Sequence, residues 1–361
     1  MQEDIVDSEN LLRVFQTKNI STTPAVINFS QKSKVHFVPI NLNICKFNKA
    51  TITFKSDIIR IGNSCYWYKF HSPLMYKTIP ADADLVAIKD GNLFLEKEIF
   101  DNKKIDSAVS LIGARDHHWS HFLVQYYPKL EILKKYLHNV NITVVISEKL
   151  DRNSKELINS SIPKGWKIYE LKDGCSLKCE ELYYVDNTSW LTDHSESFIL
   201  GDTMVYEESF KIIKNMVDNI RLNHSQPKEK NRKIYLRRAG KHRGLTNSNE
   251  VDKLLEEFGF EVINGHEYSM IEKLKIFSEA KIIVGPLSSG FVNAIFSESN
   301  TKLIAFTNKN RVWDTYIPTL ADYFNLDFKY ILSSDEIDIK DPHSSYSIDI
   351  AILKEEIESI I

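Results

Sequence analysis

The sequence predicts an α/β protein of two domains, the second a doubly wound parallel sheet of Rossmann type. In the second half, five short β-branched runs alternate with four helical periods, the pattern of strands crossed over by helices. In the first half, strand-like runs crowd together before residue 80 and only then alternate with helical segments. A chain of 361 residues is too long for one core and suits two.

The elements follow in order. "KVHFVPINLNI" and "ATITFKSDIIRIG" are β-branched and partly alternating, which makes residues 1–80 a mostly β extension. "LVAIKDGNLFLE" reads as a hairpin with Asp90-Gly91 in the turn. "SAVSLIG", "ITVVIS", "WKIYEL" and "EELYYVD" are short strands separated by helical or turn segments, and they end the first α/β domain. A mostly helical stretch follows, then the polar connector "NHSQPKEKNR", which sets the boundaries at 1–225 and 226–345.

In the second domain "RKIYLRR" is a strand, and "SNEVDKLLEEFG" a helix capped by Ser248 or Asn249 and closed by Gly259. "FEVIN", "KIIVG", "TKLIAF" and "FKYIL" are the remaining strands. "EYSMIEKLKIFSEA", "SGFVNAIFSES" and "VWDTYIPTLADYFN" are the helices between them. Residues 346–361 form a final amphipathic helix. A ligand is expected at the carboxyl ends of these strands.

Composition narrows the function. A net charge of −3 argues against nucleic acid as a partner. Residues 1–20 carry four acids and no apolar core of a signal peptide, and no run reaches the roughly 18 apolar residues of a membrane span. The four cysteines suit a reducing compartment, and Cys175 with Cys179 lacks the second pair of a zinc site. The expectation is a cytoplasmic protein, with a peripheral place at the inner face of a membrane as its variant.

Two stretches of the second domain are suited to anions. In "IIVGPLSSGFVN", Gly285 and Pro286 turn the chain, and Ser288, Ser289 and Gly290 open a helix whose N–H groups can hold a phosphate. The plain alternative is that one serine is only an N-cap. In "YLRRAGKHRGLTN", Arg237, Arg238, Lys241, His242 and Arg243 leave the end of a strand, and guanidinium groups pair bidentately with phosphate. No G-x-G-x-x-G follows a strand and no P-loop is present, which disfavours a nicotinamide cofactor and a P-loop nucleotidase.

The third stretch is "RDHHWSHFLVQYYPKL". With Asp116 as cap, a helix from His117 to about Leu137 puts Trp119, Phe122, Leu123, Tyr126 and Leu130 on an apolar face. His118, His121 and Gln125 then form a polar stripe, and His117 points elsewhere. Pro128 removes the hydrogen bond to the carbonyl of Val124 and should bend the helix. Neutral histidines here can serve as a base or bind a sugar or phosphate. Trp119 and Tyr126 could stack on sugar, although aromatics on a helical stripe more often belong to the core.

Together these pieces resemble glycosyltransferase family 61. "HWSHFLVQYYPKL" is similar to the family's aromatic-rich helix, with His121, Phe122 and Pro128-Lys129-Leu130 at its matching positions. Arg238, Arg243, and Asn247 or Asn249 match a second signature, and Gly285, Pro286, Gly290 and Asn293 a third. The resemblance covers residues 232–306 most fully and 107–135 in part.

The resemblance implies a GT-B-like fold, with two Rossmann-type domains facing a cleft and the last helix crossing back to the first. It implies an inverting hexosyl- or pentosyltransferase acting without cofactor or metal on a nucleotide-sugar donor and an oligosaccharide or lipid-linked glycan acceptor. Surface polysaccharide synthesis, as of a capsule or O-antigen, is the expected setting. The first domain would then be the acceptor side. Arg238, Arg243, Asn247, Ser288, Ser289, Gly290 and Asn293 would bind the donor, His121, Asp116 and His118 would be catalytic, and Gln125 and Trp119 would meet the acceptor. Two positions depart from the family. Gln125 stands where an acid is common, and Leu287 where a histidine is. Glutamine cannot be a base, so a catalytically inactive sugar-nucleotide-binding subunit is the second reading.

Overall fold

The computed structural model of the chain describes residues 11–16, 19–20, 25–26, 41–68, 82–89, 92–137, 141–190, 204–224, 229–238, 244–311, 315–333 and 344–361. It divides into two compact units, one of Met1–Asn19, Val38–Ser195 and Val205–Ile213, the other of Ile20–Phe37, Glu196–Met204 and Lys214–Ile361. The division falls within a helix, Glu207–His224, and not in the polar connector that follows it.

The first unit is built on one eight-stranded sheet. Its strands are β1 (Leu11–Gln16), β2 (Asn41–Thr53), β3 (Ile59–Ile61), β4 (Ser64–Tyr66), β5 (Phe100–Ser110), β6 (Thr143–Ser147), β7 (Lys167–Leu171) and β8 (Ser176–Val185). The order is β7-β6-β5-β8-β2-β3-β4, and β1 also pairs with β2. Strands β5 to β8 run parallel to one another, whereas β2, β3 and β4 join antiparallel. Val144, Val145 and Ile146 of β6 are all buried, as expected of a parallel strand covered on both faces. A separate hairpin pairs Leu85–Lys89 with Asn92–Leu95, with Lys89 opposite Asn92. Its turn, Asp90-Gly91, lies outside the described residues.

Between β5 and β6 the chain runs through α1 (Trp119–His121), a π turn (Phe122–Tyr126) and α2 (Tyr127–Lys134). The expected continuous helix capped by Asp116 is corrected here. The N-cap residue is His118, and no side chain caps the helix. Asp116 instead closes the preceding turn, its carboxylate accepting from the N–H of Gly113 at 3.2 Å. Pro128 is the physical reason for the interruption. It sits in the first turn of α2, where a missing N–H costs little, and a π turn precedes it. The Val124 carbonyl that proline leaves unbonded accepts from the hydroxyls of Thr188 (2.7 Å) and Ser189 (3.0 Å).

The second unit carries β9 (Arg232–Tyr235), β10 (Glu261–Val262), β11 (Ala280–Pro286), β12 (Lys302–Thr307) and β13 (Asp327–Leu332), all parallel, in the order β10-β9-β11-β12-β13. The short strand Ala25–Val26 adds to β13. The crossovers are α3 (Ser248–Glu257), α4 (Met270–Ser278), a 3-10 helix (Ser289–Phe296) and α5 (Tyr316–Tyr323). A capping box fixes the start of α4, where the N–H of Ser269 donates to Glu272 at 2.8 Å. The strand order reverses between β9 and β11, which makes their carboxyl ends the topological switch point of this doubly wound sheet.

The core on one face joins Val251, Leu254 and Leu255 of α3 to Tyr235, Val284, Ile304, Phe306 and Ile331 of the strands. The last helix, α6 (Ile350–Ile360), adds Leu353 and Ile357 to that same core. Its apolar stripe thus packs on the sheet of its own unit. Among the described residues no helix is long and apolar enough to cross a membrane.

Candidate functional site

The histidines of the first unit lie together. The rings of His117 and His118 are 4.1 Å apart between centroids, and those of His118 and His121 are 6.0 Å apart. His117 therefore joins the row, contrary to the sequence expectation that it points away. His118 is exposed, and His121 is half-buried.

His121 has a defined partner. Its Nδ1 lies 2.7 Å from Oε1 of Gln125, and the Nε2 of the same amide donates to the carbonyl of Ser189 at 2.9 Å. A backbone carbonyl only accepts, so the amide nitrogen faces Ser189 and the amide oxygen faces the imidazole. Nδ1 must then carry the proton, and in the neutral ring the basic lone pair belongs to Nε2. The π turn is what holds Gln125 one turn from His121 while its neighbour Val124 is fastened by Thr188 and Ser189. Ser189 was invisible to sequence reasoning. It lies 64 residues from Gln125, and nothing in the stretch around it signals the pairing.

Three residues assigned here from the sequence are buried. Gln125 is buried, 4% exposed, with its amide held between His121 and the Ser189 carbonyl. Trp119 is buried and returns to the core. Asp116 is fully buried in its turn, with a carboxyl raised above its ordinary value by burial, against the nearby His117, whose Nδ1 is 3.7 Å away, and the hydrogen bond from Gly113. The enclosure is tight: a Cβ on Gly113 would meet the Tyr126 ring at 2.2 Å and the Asp57 carboxylate at 2.4 Å.

In the second unit, the residues at the switch point are Arg238, beyond β9, and Leu287 to Gly290, beyond β11. The guanidinium of Arg238 donates from Nη1 to the carbonyl of Leu287 at 3.3 Å, and so ties the two strand ends together. Burial pulls Arg238 below its ordinary pKa, and the charge of Arg311 acts in the same direction. Among the described residues no carboxylate pairs with it. Arg237 differs: it is bound to Asp252 of α3 at 2.7 Å, alongside the Tyr235 hydroxyl. Arg243, with Lys241 and His242, lies outside the described residues.

The serine loop is tighter than expected. Ser288 is the N-cap of a 3-10 helix, its hydroxyl accepting from the N–H of Gly290 at 3.3 Å, and its carbonyl accepting from Phe291 at 3.1 Å. Two of the N–H groups expected to cradle a phosphate are thus engaged by the loop itself. Ser289 is exposed and Gly290 half-buried, and both stay at the switch point. Asn293 is buried, donating to the Gly290 carbonyl at 3.0 Å, and is part of the loop's frame. Asn247 is engaged as well. Its amide donates to the Ile348 carbonyl at 2.8 Å and accepts from the Ile348 N–H at 3.2 Å, which fastens the segment leading to α6.

The family described as Glycosyltransferase 61 matches residues 119–304, just over half of the chain. The matched span takes in His121, Gln125, Arg238 and the serine loop. No curated protein matches the chain.

Proposed function

The chain belongs to the glycosyltransferase 61 family and is a glycosyltransferase, and we propose that it transfers a hexosyl or pentosyl group from a nucleotide-activated donor to a glycan hydroxyl by metal-independent inverting displacement. The setting we propose is surface polysaccharide synthesis, of a capsule or O-antigen, by a cytoplasmic enzyme that works at the inner face of the membrane. The division of labour is that of a GT-B enzyme: the second unit holds the donor and the first supplies the base.

The observation that carries this reading is the chain Ser189–Gln125–His121, which fixes the imidazole with its lone pair on Nε2. In a single displacement that nitrogen takes the proton of the acceptor hydroxyl. The acceptor oxygen forms the new bond to the anomeric carbon, and the bond from that carbon to the phosphate oxygen breaks. The leaving nucleoside diphosphate gathers negative charge, which Arg238 is placed to stabilise through a preorganised guanidinium in a half-buried site.

Incubation of the full chain with a panel of nucleotide sugars and oligosaccharide or lipid-linked acceptors tests the reading. Release of nucleoside diphosphate with a glycosylated product is expected, and loss of both in His121→Ala. Gln125 also motivates a second reading, an inactive sugar-nucleotide-binding subunit. Binding of a nucleoside diphosphate without turnover of any donor would favour it.

A further inference from the structure

Five large apolar side chains are exposed within one short stretch that precedes the family match: Val86, Ile88, Phe94, Ile99 and Phe100, with Ile99 as much as 68% exposed. Among the described residues, the other large apolar side chains that reach solvent are spread from Tyr136 to Ile361. Apolar residues scattered singly over a surface are ordinary, whereas a concentration of them marks a place of contact.

The hairpin of the first unit explains the exposure. Leu85 pairs with Leu95, and Ile88 with Leu93. Leu85, Leu93 and Leu95 pack against the small core of Ile58 and Trp67. Phe94 stands between two of these leucines in its strand, so alternation turns it to the opposite face. The register shifts between Leu85 and Ala87, which makes Val86 the bulged residue and sets Ala87 opposite Phe94. One apolar face is thus packed and the other open. Ile99 and Phe100 come next in the chain, where the Ser176 N–H on the Ile99 carbonyl at 2.7 Å fastens the start of β5.

Charge identifies what lies against the open face. Lys97, Lys103 and Lys178 are exposed, and among the described residues none of them pairs with a carboxylate. The Nζ of Lys178 lies 4.1 Å from the centre of the Phe100 ring, which puts an ammonium beside the exposed aromatic. The nearby acids are mostly committed. Glu98 lies 3.8 Å from Arg60, Asp101 accepts from the Tyr169 hydroxyl at 2.7 Å, and Glu180 is bound to Lys104. Glu96, and Asp106 further along β5, remain against three lysines. Apolar side chains beside uncommitted lysines suit a layer of anionic headgroups: the apolar groups enter the acyl boundary, and the lysine stems leave their ammonium groups at the phosphates. A second copy of the chain fits less well, because a two-fold contact would bring the same lysines together.

We infer that this face, the open side of the hairpin with Ile99, Phe100 and the three lysines, docks the protein on a bilayer that carries anionic headgroups. The inference rests on the proposed reading of an enzyme that works at the inner face of the membrane, and it supplies the surface of contact. Binding of this kind takes apolar insertion and charge together, so losing either releases the chain. It holds the first unit, which carries His121, at the layer where a lipid-linked acceptor presents its sugar.

Sedimentation of the full chain with vesicles tests it. Vesicles of phosphatidylcholine and phosphatidylglycerol in equal parts are expected to carry wild type down, vesicles of phosphatidylcholine alone far less, and rising salt to release the protein. The double variant Phe94→Ser/Ile99→Ser is expected to lower partition about tenfold or more, and Lys97→Glu/Lys103→Glu by a similar factor, each with melting like wild type. None of these four residues belongs to the His121 or Arg238 sites, so turnover of a nucleotide sugar onto a water-soluble acceptor is expected to persist in both. Unchanged partition of either folded variant, or absence of wild type from both kinds of vesicle, overturns the inference and leaves the proposed transfer reaction standing. Equal partition of wild type to neutral vesicles overturns it too. So does a dimer in light scattering that Phe94→Ser/Ile99→Ser dissolves while wild type ignores vesicles. If wild type binds anionic vesicles as expected but turns over no donor, the docking surface stands and the proposed transfer reaction falls. Should Phe94→Ser/Ile99→Ser not fold, the lysine variant decides alone.

Discussion

The Nδ1 of His121 lies 2.7 Å from the amide oxygen of Gln125, in the place where the family commonly sets an acid. A carboxylate there could itself be a base. The amide cannot, but it fixes the tautomer and the ring orientation of the imidazole, and in the proposed mechanism the task falls to Nε2 of His121. His121→Ala is therefore expected to lower kcat by about 10²–10⁴-fold. Gln125→Leu keeps the volume but frees the ring, and a loss of about 10–100-fold in kcat with little change in donor KM is expected. Gln125→Glu should stay active, with the acid limb of its pH profile moved to higher pH, because a neighbouring carboxylate favours the protonated imidazole. Steady-state kinetics across pH on the three variants checks this, and an unimpaired Gln125→Leu would show that the amide positions nothing.

Gly285 lies against the backbone that leads to Arg238. A Cβ at Gly285 would lie 2.5 Å from the carbonyl oxygen of Leu236, backbone that cannot swing aside, and Arg238 is only two residues further on. Gly285→Ala is expected to destabilise the protein by about 1–3 kcal/mol and to weaken nucleoside diphosphate binding several-fold. Arg238→Ala should instead leave melting nearly unchanged and raise Kd at least tenfold, about 1.4 kcal/mol. Urea denaturation beside calorimetry separates the two. Equal affinities of Arg238→Ala and wild type would remove Arg238 from the donor site.

How far the sequence reached depended on the range of the interaction. The runs Thr143–Ser147, Ala280–Pro286 and Lys302–Thr307 announce themselves because a buried parallel strand must be apolar throughout. The carbonyl that Pro128 strands, that of Val124, was legible for the same local reason. Its partners Thr188 and Ser189 were not, since they arrive from a segment more than sixty residues away. Asn247 looked like a donor contact by its motif, yet Ile348, 101 residues on, claims both ends of its amide. Asp116 looked like a helix cap because caps are acidic, but the turn back to Gly113 competes for the same carboxylate and wins. The role of Gln125 needed both kinds of information: its spacing from His121 is local, and its orientation is set by Ser189.

Asp186 provides a test of the first unit that does not depend on any substrate. It is buried, with one carboxylate oxygen accepting from the Tyr66 hydroxyl at 2.6 Å and the other from the Asn43 N–H at 3.0 Å. Burial still pushes its carboxyl from the ordinary 3.8 up to about 6, against those hydrogen bonds and the charge of the buried Lys129. Between pH 4 and 6 the folded protein therefore holds a proton that the unfolded chain has released. Its contribution to stability is full below the unfolded value and is lost as pH rises through the folded one. The sum across that window is about 2–3 kcal/mol. Asp186→Asn keeps the shape and does not titrate. The stability of wild type relative to this variant should fall by about that amount from pH 4 to pH 7 and stay level above. Urea denaturation at a series of pH values measures it, and a difference that stays flat across the window would mean that folding leaves the Asp186 carboxyl where it is in the unfolded chain.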